Sequence, residues 1–128
     1  MATEDIVNVR YMVDDVAAAV DFYTKHLGFK VNISSPAFAD VIRGNLRLLL
    51  SGPMSSAGRA MPDGERPRPG GWNRIHLLVD DLAKEVARLK AEGVRFRNET
   101  VVGPGGSQIL ILDPAGNVVE LFQPAGAR

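Results

Sequence analysis

The sequence predicts an α+β fold made of two copies of one βαβββ unit. Two segments carry the evidence, Ile6–Val13 and Asn73–Val79, in which apolar and polar residues alternate as they do in half-buried strands. Each segment runs directly into a pair of aspartates, Asp14-Asp15 or Asp80-Asp81. Because an aspartate oxygen can accept the free amide hydrogens of a first helical turn, each strand should lead into a helix.

The two predicted helices correspond position for position. In both, apolar residues recur at spacings of three and four, the pattern of an amphipathic helix packed on a sheet. These residues are Val16, Val20, Tyr23 and Leu27 in the first helix, and Leu82, Val86 and Leu89 in the second. Gly28 and Gly93 follow, and glycine readily takes the left-handed conformation that ends a helix. The constant offset indicates an internal duplication.

Three short strands should follow each helix. They span 29–33, 37–43 and 46–50 in the first copy, and 94–97, 108–112 and 118–122 in the second. Gly44-Asn45 and Gly116-Asn117 are turn sequences that precede the last strand of each copy. Gly103–Gly106 does not join a strand to a helix, so we expect a hairpin connection there rather than a phosphate loop. We therefore expect one domain, 1–128, with modules at about 5–51 and 72–124.

The segment between the modules, residues 52–71, is rich in glycine, proline, serine and arginine. A connection of this length is either functional or a flexible linker. We favour an ordered loop at a pocket rim or a subunit contact. The only tryptophan, Trp72, directly follows the loop.

Composition excludes several classes of function. The 15 basic and 15 acidic residues balance, which argues against a nucleic-acid or anionic-membrane surface. The chain has no cysteine, so disulfides and thiolate metal sites are excluded. No apolar run is long enough for a membrane span. Met1–Asp5 lacks the layout of a signal peptide, and we expect a cytoplasmic protein.

Three motifs, in order along the chain, give a family resemblance. They are Val13-Asp14-Asp15-Val16, the run Phe22-Tyr23-Thr24-Lys25-His26-Leu27-Gly28-Phe29, and Asp113-Pro114-Ala115-Gly116-Asn117-Val118-Val119-Glu120-Leu121. Over about residues 6–124 the chain resembles the glyoxalase/bleomycin-resistance/dioxygenase superfamily, also called vicinal oxygen chelate proteins. The resemblance implies that each module forms a cupped half-barrel sheet and that the paired cups hold a small ligand.

Metal-using members of this family place one ligand on each of four strands, usually His, Gln or Glu. The resemblance puts these positions at Asn8, Leu48, Arg74 and Glu120. Of these only Glu120 is a conventional ligand, because leucine cannot coordinate a cation and an arginine would repel one. We therefore expect no metal and no other cofactor.

Glu120 stands on an otherwise apolar strand, where a carboxylate should be paired. We expect Arg74 to be its partner, with the guanidinium in the space that a metal would use. A structural ion pair, direct recognition of a ligand and metal ligation remain alternative roles for Glu120. His76 faces the same way as Arg74, two residues further on, and is a polar wall residue, a metal ligand or an acid/base group.

Further candidates for the ligand-binding set come from the strand faces. Asn8 and Arg10 share one face of the first strand, and its mixed polarity is typical of a pocket wall. Flat or apolar surface for a ring-bearing ligand could come from Phe38, Leu48, Trp72 and Phe122. Ordinary core packing is the alternative for each of them.

The resemblance to the bleomycin-resistance branch implies a metal-independent protein that sequesters a small molecule, such as an aromatic or polycyclic natural product, within a homodimer. An alternative is an enzyme of the lyase, isomerase or dioxygenase kind that acts on a small oxygenated metabolite through a degenerate site such as His76 with Glu120. A scaffold protein with a vestigial pocket is the third. Fold alone does not choose among them.

Overall fold

The computed structural model describes residues 5–126 as two compact units, each with its own sheet and helix. The first unit runs to Gly70 and also includes Pro114–Asn117, and the second contains Gly71–Asp113 and the residues from Val118 on. Both units have the α+β composition expected from the sequence; the first has the expected βαβββ order, and the second has that order with one additional strand.

The first unit contains a four-stranded sheet in the order β1-β4-β3-β2. Its elements are β1 (Val7–Met12), α1 (Val16–His26), β2 (Lys30–Ser34), β3 (Phe38–Arg43) and β4 (Leu46–Ser51). Strands β1 and β4 are parallel, whereas β3 is antiparallel to both of its neighbours. The helix is therefore part of the crossover that a parallel pair requires.

The second unit repeats this plan and adds one strand. Its elements are β5 (Ile75–Leu78), α2 (Leu82–Ala91), β6 (Arg95–Phe96), β7 (Val101–Gly103), β8 (Gly106–Leu112) and β9 (Val118–Pro124). The order is β5-β9-β8-β6, with β7 also paired to β8. Gly103 pairs with Gly106, so the expected hairpin is confirmed, although β7 was not predicted as a strand.

Both helices begin and end as the sequence predicts. The side chain of Asp15 accepts a hydrogen bond from the Ala18 amide, and Asp81 accepts one from Lys84, each at 3.1 Å. A side-chain acceptor at this position satisfies one of the free amides of a first helical turn. Gly28, with φ 73°, and Gly93, with φ 80°, stand just beyond the helix ends.

Each sheet buries its helix-side face. In the first unit this face carries Tyr11 on β1, Ala39 and Val41 on β3, and Leu48 and Leu50 on β4, all of them buried. In the second it carries Ile75, Leu77, Ile109, Ile111, Val119 and Leu121. Burial of these apolar side chains is the main stabilising contribution to each unit. The other face of each sheet carries the polar residues.

The connection after β4 has internal order. It contains a 3-10 turn at Ser56–Gly58, capped by the side chain of Ser55. Further along, the amides of Met61 and Gly64 form turn hydrogen bonds. These contacts support the ordered loop that we favoured. No helix within residues 5–126 is both long and apolar enough to cross a membrane.

Candidate functional site

The face of the first sheet opposite α1, here called the first polar face, is defined by Asn8, Arg10, Phe38, Asp40, Arg47, Leu49 and Ser51. Strand pairing aligns Asn8 with Arg47, and Arg10 with Leu49. Paired residues project to the same side of a sheet. Asn8, Arg10 and Phe38 therefore share one face, as the strand pattern predicted for Asn8 and Arg10.

A fully buried carboxylate lies on the first polar face. Asp40 has no exposed surface, and its carboxylate accepts hydrogen bonds from the Ile33 amide at 2.8 Å and from the guanidinium of Arg47. Arg47 also forms an ion pair with it. The contacts compensate for the cost of burying the charge. Neither residue was predicted from the sequence, since neither falls on a family ligand position.

Arg10 lies on the same face, but its hydrogen-bond partner is a hydroxyl group and not a carboxylate. Its Nη1 atom donates to the hydroxyl of Ser51 at 2.8 Å, and Ser51 itself is fully buried. Arg10 lines a pocket of about 460 Å³ together with Ala37, Phe38, Met54, Ser55 and Ser56. A guanidinium beside an aromatic ring and a flexible methionine makes a surface that suits an amphipathic ligand.

A larger pocket of about 740 Å³ adjoins this one and shares Ala37 and Met54 with it. It is lined by the start of α1, by the β2–β3 turn and by residues that follow β4; these include Asp14, Asp15, Ser34, Ser35, Pro36, Gly52 and Pro53. Met54 is 87% exposed. The residues after β4 thus form part of a pocket rim, which is one of the roles that we expected for this loop.

Leu48 lies elsewhere than the sequence predicted. It pairs with Val9 on β1 and with Val41 on β3, and it is fully buried on the helix side of the sheet. In the second sheet, Glu120 pairs with His76. The residue of the first sheet that corresponds to His76 is Arg10, and it pairs with Leu49. The match through the Gly-Asn turns was therefore off by one residue, and Leu49 corresponds to Glu120.

The second polar face, opposite α2, is defined by Trp72, Arg74, His76, Arg97, Leu110, Glu120 and Phe122. Its centre is Glu120, which is only 7% exposed. Arg74 Nε lies 3.0 Å from Glu120 Oε1, so the expected pair is present. His76 Nε2 lies 3.5 Å from Glu120 Oε2. Both carboxylate oxygens thus have a nitrogen neighbour.

Aromatic rings lie on the same face as this ion pair. The rings of His76 and Phe122 lie 4.8 Å apart between centroids, tilted by 37°. The guanidinium of Arg97 lies 4.0 Å from the ring centroid of Trp72. The carbonyl of Trp72 accepts a hydrogen bond from Arg74 Nη1 at 3.2 Å. The structure brings together all five residues that we had predicted from this module and adds Arg97, which was not predicted.

The side chains of this face do not fit the metal that the fold family often binds. Glu120 is engaged by Arg74, whose positive charge would repel a cation. Only His76 and Glu120 of this cluster are ordinary metal ligands, and within residues 5–126 no three His, Asp or Glu side chains gather in a way that could hold an ion. On the first polar face the position equivalent to Glu120 is a leucine. The donor set at these positions therefore disagrees with the family's usual metal centre.

Comparison with known proteins agrees with this fold. A model of the Glyoxalase/Bleomycin resistance protein/Dioxygenase superfamily matches residues 5–121. No curated protein matches the chain significantly. Among solved structures, lactoylglutathione lyase from Agrobacterium tumefaciens is 27% identical with a TM-score of 0.70, and 92% of each chain is covered.

Two further solved structures are similar. An antibiotic-binding protein from a Streptomyces species is 28% identical with a TM-score of 0.72, covering 98% of this chain and 99% of that one. A superfamily member from Sphaerobacter thermophilus is 27% identical with a TM-score of 0.73, covering 96% and 98%. Together with the family match over residues 5–121, they identify the chain as a member of the glyoxalase/bleomycin resistance protein/dioxygenase superfamily.

Proposed function

We propose that this protein binds a small molecule without a resident metal and acts by sequestration, in the manner of an antibiotic-binding protein. Each polar face is a candidate binding surface, and on the second face Arg74 and Glu120 fix the orientation of a ligand. The aromatic residues Trp72 and Phe122 bury its apolar part. Binding of this kind depends on desolvated apolar contact with a few placed polar groups, and it needs no catalytic residue.

The observation that carries the proposal is the ion pair between Arg74 and Glu120. Glu120 is the one conventional metal ligand among the family positions, and a guanidinium already compensates its charge. Displacing Arg74 in favour of a cation would require breaking a hydrogen-bonded pair at a mostly buried carboxylate, which is costly. A ligand that contacts the pair from outside incurs no such cost.

The similarity to a Streptomyces antibiotic-binding protein, at 28% identity over nearly the full length of both chains, supports this class of ligand. The aromatic surface around Trp72, His76 and Phe122 suits a polycyclic or aromatic natural product. Sequestration requires that the drug be held intact.

The test is a panel of polycyclic and glycopeptide antibiotics, measured by calorimetry on protein dialysed against EDTA. We expect at least one drug to bind with unchanged affinity after chelation, and to be recovered chemically intact by mass spectrometry. F122A should weaken that binding, whereas V102A, at an exposed position on β7, should not. Absence of binding across the panel, or binding only after a divalent ion is added, would contradict the proposal.

A second candidate is an enzyme of the lyase or isomerase kind. It is favoured by the 3.5 Å contact between His76 Nε2 and Glu120 Oε2, since a histidine beside a carboxylate can exchange protons with a bound substrate. The similarity to a lactoylglutathione lyase is in line with it. Conversion of the hemithioacetal of methylglyoxal and glutathione, abolished by H76Q but retained by R88Q on the surface of α2, would favour the enzyme over sequestration.

We further propose that the protein is cytoplasmic and that it forms a homodimer, the latter as the family resemblance implies. Sedimentation equilibrium of the purified protein checks the assembly directly. A monomer at all concentrations that also binds drug would separate the binding function from dimerisation.

A further inference from the structure

We infer that the pocket at Arg10 on the first polar face binds a ligand whose acidic group contacts Arg10 and whose apolar or aromatic portion packs on Phe38 and Met54. This inference rests on the proposed small-molecule binding and names the class of ligand: an amphipathic organic anion such as a carboxylate, a sulfonate or a phosphate ester.

The distribution of charge on the first polar face supports the inference. Asp40, the buried carboxylate of this face, is already paired with Arg47. Arg10, in contrast, donates to the neutral hydroxyl of Ser51, and no carboxylate within residues 5–126 forms a salt bridge with it. Among the described residues of this face, the positive charge without a carboxylate partner is therefore at Arg10.

The guanidinium of Arg10 is also held in place. Ser51 is fully buried at the end of β4, where it pairs with Met12 and with Phe38, so its hydroxyl is a fixed point. The 2.8 Å hydrogen bond uses one of the five N–H groups of the guanidinium. The others can form the paired hydrogen bonds with which arginine binds an oxyanion. A preorganised arginine loses less entropy on binding.

The pocket at Arg10 has the composition that an amphipathic anion needs. Its volume of about 460 Å³ falls within the range of small-molecule sites. Phe38 and Met54 provide apolar surface, and no carboxylate from the part of the chain that the structure describes lines the pocket. The Ser55 hydroxyl is already engaged, because it donates to the Gly52 carbonyl and accepts from the Gly58 amide. Arg10 is thus the principal polar anchor of the pocket.

The adjoining pocket fixes the direction of the ligand. Asp14 and Asp15 line it, and their negative charges would repel an acidic group there. A ligand that extends past Met54 from one pocket into the other should therefore place its acidic end at Arg10. Its uncharged or basic end should face the aspartates.

The test uses two dyes that share one ring skeleton. 8-Anilinonaphthalene-1-sulfonate carries a sulfonate, and N-phenyl-1-naphthylamine lacks it. Fluorescence titration of the full chain should give tighter binding of the sulfonate, with one site per chain. R10Q should weaken the sulfonate by about tenfold or more, the effect of losing a charge-assisted hydrogen bond, and leave the naphthylamine unchanged.

Two further variants serve as controls. R88Q removes the same charge from the surface of α2 and should leave both dyes unaffected, while F38A should weaken both. Circular dichroism establishes that each variant is folded. The inference is overturned if R10Q changes both dyes equally or neither, or if the wild-type chain binds neither dye. The antibiotic panel tests the proposed function separately. A neutral drug that binds the wild-type chain and R10Q equally well would support that function and contradict this inference.

Discussion

Arg74 Nε lies 3.0 Å from Oε1 of Glu120, so an arginine just before β5 neutralises the mostly buried carboxylate of β9. R74M should destabilise the protein by about 1–3 kcal/mol, because Glu120 would be left without its main partner. This loss is smaller than for a fully buried ion pair, since 30% of the Arg74 side chain is exposed to solvent. Urea unfolding measures the change. The double variant R74M/E120L should be more stable than R74M alone, and a double variant that is less stable would contradict this role of the pair.

A single substitution should convert the second polar face into a metal site. R74H removes the repelling charge and adds a third ligand beside His76 and Glu120, a set that zinc accepts. The melting temperature of R74H should rise when Zn²⁺ is added, and that of the wild-type chain should not. R74H/E120Q is the control and should lose most of the response. A zinc-dependent rise in the wild-type protein would show that the metal does not need the substitution.

Asp40 should be a key position for the stability of the first unit. D40N should cost about 2–3 kcal/mol, because it leaves the charge of Arg47 unpaired and weakens the contact with the Ile33 amide at a fully buried site. Chemical denaturation gives the value. D21N, on the exposed surface of α1, is the matched control and should change stability by less than about 0.5 kcal/mol.

The β7–β8 hairpin depends on a glycine. Gly106 has φ 149°, and a Cβ atom there would lie 2.2 Å from the Gln123 carbonyl oxygen, far closer than such atoms approach. G106A should therefore destabilise the chain by about 2 kcal/mol or more, through strain and through loss of β8–β9 pairing. G105A, whose Cβ would meet nothing within 4 Å, should be nearly neutral. Equal thermal stability of the two variants would show that the hairpin tolerates a side chain at Gly106.

Most of the fold could be predicted from local patterns. Asp15 and Asp81 mark helix starts, and Gly28 and Gly93 mark helix ends, because capping chemistry acts within one turn. Strand β7 was missed since Val101–Gly103 is too short to show an alternating pattern. It is stabilised by its pairing with β8, a contact that local sequence does not reveal.

The candidate site was harder to predict, because side-chain direction in a sheet reverses with every residue. The turn at Gly44-Asn45 connects Arg43 directly to Leu46, whereas the corresponding turn spans Asp113–Asn117. Aligning the two turns by their Gly-Asn residues therefore shifted the first module by one position and selected Leu48 in place of Leu49. Asp40 was overlooked because its partner, Arg47, comes from the neighbouring strand.

The chain's single tryptophan, Trp72, is 62% exposed, lies under the guanidinium of Arg97 and shares a hydrogen bond with Arg74 through its carbonyl. Its indole is therefore an intrinsic optical reporter of the region around Glu120, with no second indole to obscure the signal. A change in emission wavelength on adding a compound would localise that compound to this part of the molecule, in unlabelled protein.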